Sequence, residues 1–192
     1  MTTPVPTPAQ KALKRVLAIS AVDGWSFVII AALSLVITLA FLNPIGIFVS
    51  LMVLIAGVME LRGRNKLKRR DPAGMQLLVR SQLFLLAVIL VYCARCLGSF
   101  DGDYIKDLIP EIRQWMLMLS VNLDDVLRDV GLTTDELVPL TRKMFVLLYG
   151  TFALVTLFYQ GGMALYYRAK TPLVTDALSA PPPALPPNRP LA

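Results

Sequence analysis

Glu60-Leu-Arg-Gly-Arg-Asn-Lys-Leu-Lys-Arg-Arg-Asp-Pro-Ala-Gly-Met-Gln-Leu-Leu-Val-Arg-Ser-Gln82 lies between two long apolar runs, and its reading decides the fold. Arg62, Arg64, Lys66, Lys68, Arg69 and Arg70 crowd one short connection. Short connections this rich in Lys and Arg resist translocation across a bilayer, so the stretch reads as a cytoplasmic loop and fixes the orientation of the chain.

Working outward, Trp25 to Leu42, Ile45 to Met59, Leu83 to Leu97 and Met144 to Tyr167 are nearly free of charge. With their flanks, each approaches the ~20 residues needed to cross a hydrocarbon core. Helices buried in a soluble bundle would carry polar stripes at helical spacing, and these runs have none. Composition agrees, since 56% apolar and only 17% charged residues are too apolar a mixture for an ordinary soluble domain. The expected fold is all-α: an integral membrane four-helix bundle with an extracytoplasmic amphipathic helical segment between spans three and four. The spans are expected at 25–42, 45–61, 77–97 and 144–167, within a membrane domain of residues 23–170, with the outer segment at 103–143.

The net charge of +6 suggests nucleic acid until the charges are placed. Lys11, Lys14 and Arg15 precede the first span, the basic loop follows the second, and Arg168 and Lys170 follow the fourth. Nine of the 13 acids, from Asp101 to Glu136, lie between spans three and four. This distribution puts both termini in the cytoplasm of a multi-pass protein, in a bacterial-type inner or plasma membrane. The partners it implies are the bilayer itself and anionic lipid headgroups at the inner face, not nucleic acid.

Pro4, Pro6 and Pro8 make the start of residues 1–22 an extended, disordered arm. Ala12, Val16 and Ile19 against Lys11, Lys14 and Arg15 then give a weak amphipathic helix that lies on the inner leaflet. A signal peptide is the rival reading, but its apolar region is too short. Asp23-Gly24-Trp25 marks the inner boundary of span one, with Asp23 as a helix N-cap. Were the helix to begin at Val16, Asp23 would sit in the bilayer, where a carboxylate is a functional candidate.

Asn43-Pro44 turns span one into span two. Gly46, Ser50 and Gly57 share one face of span two, and Ser34 and Thr38 offer a matching patch on span one, which reads as close helix packing ahead of an oligomer seam. Asp71-Pro72-Ala73-Gly74 forms the turn inside the basic loop and returns the chain to the same level. Glu60 and Arg64, spaced i, i+4, are placed to pair on one helix, with Arg80 reaching Glu60 from the next. With Asp23 these make a candidate polar cluster at the inner face, although snorkelling of the cations also explains them. Cys93 and Cys96 have neither a second pair nor a histidine, so packing is the reading ahead of a reversible disulfide. Arg95 snorkels outward or meets Asp101 or Asp103.

Ile105, Leu108, Ile112, Trp115, Leu119, Leu123, Val126 and Val130 recur at intervals of three and four, giving one apolar stripe along an outer helix. Ile112, Trp115, Leu119, Leu123 and Val126 form the candidate partner-facing part, with Pro110 starting or kinking the helix and Gly131 ending it. Thr133 to Glu136 has the spacing of a capping box, so a new helix starts there. In span four, Thr156 and Gln160 give a candidate intramembrane polar face, by interhelical hydrogen bonding or as a pathway lining. Residues 171–192 read as a disordered Pro-rich cytoplasmic tail, with Pro183 and Pro186 in a spacer or a Pro-x-x-Pro ligand.

With no His, no phosphate loop and no dinucleotide fingerprint, nothing marks an enzyme, a metal site or a cofactor. Two function classes remain. One is a non-catalytic membrane subunit or scaffold with a protein partner on the outer stripe. The alternative is a small transporter or channel working as a homo-oligomer.

Overall fold

The computed structural model describes residues 7–100 and 102–180, the side chains of 103–105, 107, 108, 134 and 135 excepted. Among these residues the chain is all-α, with six helices: α1 (Pro8–Ala40), α2 (Pro44–Lys68), α3 (Ala73–Gly98), α4 (Gly102–Met118), α5 (Leu123–Asp129) and α6 (Thr134–Ser179). Four of them, α1, α2, α3 and α6, are long and apolar enough to cross a membrane. Their apolar side chains point largely outward, as Ile29, Ile30, Leu33 and Val36 do on α1 and Phe48 and Ile55 on α2, which is the arrangement of a protein solvated by lipid. The chain is a membrane protein.

The residues divide into two compact units, one of residues up to Val88 and from Phe158, the other Ile89–Leu157. In the first, α1 and α2 form the hairpin that Asn43-Pro44 predicts. Asn43 caps α2, its Oδ1 accepting from the Gly46 N–H at 3.0 Å, and Pro44 occupies a first-turn position where its missing N–H costs nothing. Small residues let the two helices meet. A Cβ on Gly57 would stand 2.9 Å from Val28 Cγ2 and 3.1 Å from the Val28 backbone nitrogen, and the Ser34 and Ser50 hydroxyls bond at 2.8 Å. The small-residue patches of spans one and two are thus spent on each other.

The basic loop turns where expected. Asp71 Oδ1 accepts from the Ala73 N–H at 2.9 Å, Arg70 takes the left-handed backbone at φ 63°, and Lys66 pairs with Asp71 at 3.3 Å. At this end of the bundle Val16, Leu67, Met75, Leu78, Tyr167, Val174 and Leu178 close into one core. Burying each such side chain contributes about 1.5–3 kcal/mol.

That core corrects both terminal expectations. Residues 8–22 are not an arm on the leaflet but the first turns of α1, started by a capping box in which Thr7 and Gln10 exchange hydrogen bonds, with Pro8 at the first turn. Val16 then inserts into the core, with Leu13, Leu17 and Ile19 packed around it. Residues 171–179 are not tail but the end of α6. Pro172 costs about 3 kcal/mol inside a helix, and burial of Val174, Ala177 and Leu178 at helical spacing offsets it. Pro183, Pro186 and the N-terminal Pro4 and Pro6 lie outside the described residues.

In the second unit the outer stripe is broken. Ser120, at φ 59°, ends the α4 turn and Asn122 caps α5, so Ile112 and Trp115 lie on α4, Leu119 in the turn, and Leu123 and Val126 on α5. A single continuous helix is therefore the wrong description, because Ser120 and Asn122 offer the backbone a turn and a cap that compete with helix. Pro110 sits inside α4 and does not start it. Leu123 and Leu127 are buried, Ile112 and Val126 lie partly open, and Trp115 and Leu119 are largely exposed. The side chains of Ile105, Leu108 and Asp103 lie outside the described set, as does Asp101. Gly131, at φ 72°, ends α5, with the Leu132 N–H reaching Leu127 C=O at 2.8 Å. At the start of α6 the Glu136 carboxylate accepts from both the N–H and the hydroxyl of Thr133, at 2.8 and 2.9 Å. The rings of Tyr92, Tyr149, Phe145 and Phe100 contact one another in series, the first pair edge to face and the other two tilted, near a buried, free Cys93 and a free, partly buried Cys96. Arg95 is exposed.

Candidate functional site

Counting from their ends at the Asn43 turn, Glu60 lies 16 residues along α2 and Asp23 lies 17 residues back along α1, each about 25 Å by helical rise. Both carboxylates therefore reach the same level, just short of the basic end of the bundle. Gly24 makes that level narrow, since a Cβ there would stand 2.8 Å from Leu61 Cδ2 and 3.3 Å from Glu60 Cγ. Asp23 is consequently not an N-cap. It lies in the interior of an unbroken helix, and the glycine beside it serves close approach to α2 instead of a helix start.

Glu60 is wholly buried. Its Oε1 accepts from the Tyr167 hydroxyl of α6 at 2.8 Å, and its Oε2 accepts from the Ser81 hydroxyl of α3. Asp23 Oδ1 accepts from the Tyr159 hydroxyl at 2.9 Å, two helical turns before Tyr167 on α6. Three more polar groups are buried without a complete set of partners: Asp23 Oδ2, both amide atoms of Gln82 beside Glu60, and Gln160 Oε1.

The bases expected here are elsewhere. Arg64 does not pair with Glu60; its Nε donates to the Leu17 carbonyl of α1 at 3.2 Å. Arg80 is exposed and lines a groove with Gln76, Val79, Arg168 and Thr171. Among the described residues neither Asp23 nor Glu60 has an ion-pair partner. The reason is geometric: at i, i+4 Arg64 reaches the α1 backbone first, whereas the Glu60 oxygens are already directed at hydroxyls on α3 and α6.

Of the polar face on α6, Gln160 is buried in this unit, next to Tyr159 in sequence, and Thr156 is buried one turn earlier, in the other unit. Sequence reading missed Ser81, Gln82, Tyr159 and Tyr167 as parts of this cluster. A polar Ser81-Gln82 pair opening an apolar run was a visible signal, as was the two-turn spacing of Tyr159 and Tyr167.

Buried carboxylates without a counter-cation are costly, and hydroxyl donors offset only part of that cost. The donor set is entirely oxygen with two amide side chains, which suits protons and hard cations and not the softer transition metals. No group of three or more His, Cys, Asp or Glu converges among the described residues. Compared with protein-family models, curated proteins and solved structures, the chain matches none.

Proposed function

We propose that this membrane protein is a small cation-coupled transporter or channel subunit, acting as an oligomer and not as an enzyme, with Asp23 and Glu60 as its cation- or proton-binding groups. One observation carries the reading: two carboxylates at one level of the bundle accept from tyrosine and serine hydroxyls, and neither has an ion-pair partner among the described residues. An acid kept at such a place in a membrane protein is a functional group by default, because an apolar residue there would be cheaper. The Gln82 side-chain oxygen, buried beside Glu60, is an acceptor that a bound cation would engage. Four spans seldom enclose a pathway alone, so assembly is part of the proposal. The charge distribution supports a cytoplasmic basic end, which would set the acids near the inner mouth.

The test is flux in vesicles of purified protein, with separate proton, Na⁺ and K⁺ gradients. Flux of one of these cations, lost in Glu60→Gln and Asp23→Asn at unchanged folding, is the expected result. Vesicles impermeable to all three, or variants that conduct as well as the parent, would overturn the proposal.

A scaffold role is the second reading, supported by Trp115, Met118 and Leu119, large apolar side chains exposed outside the spans. Its test is native mass after mild extraction. A stoichiometric foreign subunit, lost in Trp115→Asp with Leu119→Asp, supports it, and a homo-oligomer alone removes it.

A further inference from the structure

Between α3 and α6, at the basic end of the bundle, a groove of ≈ 420 Å³ is lined by Gln76, Val79, Arg80, Arg168 and Thr171. It runs into a second groove of ≈ 230 Å³ that shares Val79 and Arg168 and adds Leu83, Gly161, Ala164 and Leu165. Sharing two lining residues, the two adjoin and together carry a chemical gradient. Its mouth carries two arginines and a hydroxyl, and its far part is apolar.

The sequence builds it from two helix faces. On α3, Gln76, Val79, Arg80 and Leu83 recur at three and four residues, and on α6 so do Gly161, Ala164, Leu165, Arg168 and Thr171. Going from Arg80 to Leu83, and from Arg168 to Gly161, the groove leaves the basic end and enters the apolar spans. Gly161 keeps its floor open, since nothing lies within 4 Å of where a Cβ would stand. Neither arginine has an acidic partner among the described residues.

We infer that this groove is a binding site for one anionic phospholipid, with the phosphate held between Arg80 and Arg168 and an acyl chain laid along Val79, Leu83, Gly161 and Leu165. Guanidinium groups match phosphate oxygens by bidentate hydrogen bonding, and basic pockets between membrane helices are suited to acidic headgroups. Free phosphate would satisfy the arginines but leave the apolar half without an occupant. A zwitterionic lipid would fill the apolar half but set its own cation against the arginines. The inference rests on a surface separate from the Asp23 and Glu60 cluster and stands independently of the transport proposal.

The experiment is native mass spectrometry of the full chain in mild detergent, titrated with phosphatidylglycerol, with phosphatidylcholine of the same chains, or with inorganic phosphate. One phosphatidylglycerol per chain is expected to bind ahead of phosphatidylcholine and to resist an excess of inorganic phosphate. Arg80→Gln and Arg168→Gln should each weaken it about fivefold, and together about 25-fold. Gly161→Leu should weaken it with no change of charge, and Lys14→Gln should leave it unaltered. Matching elution volumes and helix content identify variants that remain folded. Equal binding of phosphatidylcholine, displacement by inorganic phosphate, or full binding by the folded double arginine variant would overturn the inference.

Discussion

Replacing Tyr167 by Phe removes one oxygen from a side chain with no solvent exposure and leaves Glu60 Oε1 without its donor. A hydrogen bond to a charged group is worth roughly 1.5–3 kcal/mol, and a buried acceptor stripped of its donor bears its desolvation cost in full. Polar pairs between membrane helices average about 0.6 kcal/mol and reach about 1.7. Because both partners here are wholly buried, the expected loss for Tyr167→Phe is near that upper figure, about 1.5 kcal/mol. Glu60→Leu removes the acceptor and strands the Tyr167 hydroxyl, while the Ser81 hydroxyl keeps the Leu78 carbonyl at 3.0 Å. In the double variant the Tyr167 oxygen is gone as well, so the two losses should fall short of additivity by about 1 kcal/mol. Reversible unfolding of the purified protein in mixed mild and denaturing detergent, followed by the fluorescence of its two tryptophans, measures all four corners of the cycle. Strict additivity would refute the reasoning, for then the Tyr167 to Glu60 bond contributes nothing to the folded state.

Three further outcomes follow from the packing and the basic loop. Gly57→Ala should destabilise by about 1–3 kcal/mol, because the new methyl meets the Val28 backbone, whereas Gly162→Ala, with open space around it, should gain up to about 1 kcal/mol of helix propensity; equal effects in thermal unfolding would contradict the hairpin contact. Val174→Ala should cost about 1.5–3 kcal/mol, and no loss at all would return residues 171–179 to a tail. The Ala73 N–H, and after it Lys66, hold the Asp71 carboxyl below its ordinary range. A depressed folded-state value means that this support is complete above about pH 4 and is lost as the pH falls through the depressed value. The Ala73 amide shift in NMR should therefore titrate with a midpoint below about 3.9, and Asp71→Asn should flatten it; a midpoint at or above that value counts against the contact.

The features legible in the sequence were those whose meaning is local. Asn43 with Pro44, Asp71 with Ala73 and Gly131 each state a cap or a turn within a few residues, and the structure puts caps and turns there. The apolar runs state their own length. Asp23 was misread because Asp beside Gly is the local signature of a helix start, while the use of Gly24 depends on Leu61, on another helix. The end of α6 was hidden behind Pro172, a local stop signal outweighed by the fit of Val174 and Leu178 to a core assembled from four helices. At the site, Glu60 and Asp23 were visible as acids at the inner ends of apolar runs. Their donors Ser81, Tyr159 and Tyr167 are between 21 and 136 residues away along the chain, and no spacing rule reaches that far.

The unbroken course of α1 has a mechanical meaning. A helix of 33 residues is a rod about 50 Å long, against a hydrocarbon core of about 30 Å, so a substantial length projects beyond it. Val16, clamped in the core near its start, and Asp23 are two turns apart on the same rigid shaft, about 10 Å, with no hinge between them. A push or pull on the first turns of α1 does not dissipate in a flexible linker. Any displacement of those turns would be carried by the helix itself to the level of the Asp23 to Tyr159 hydrogen bond.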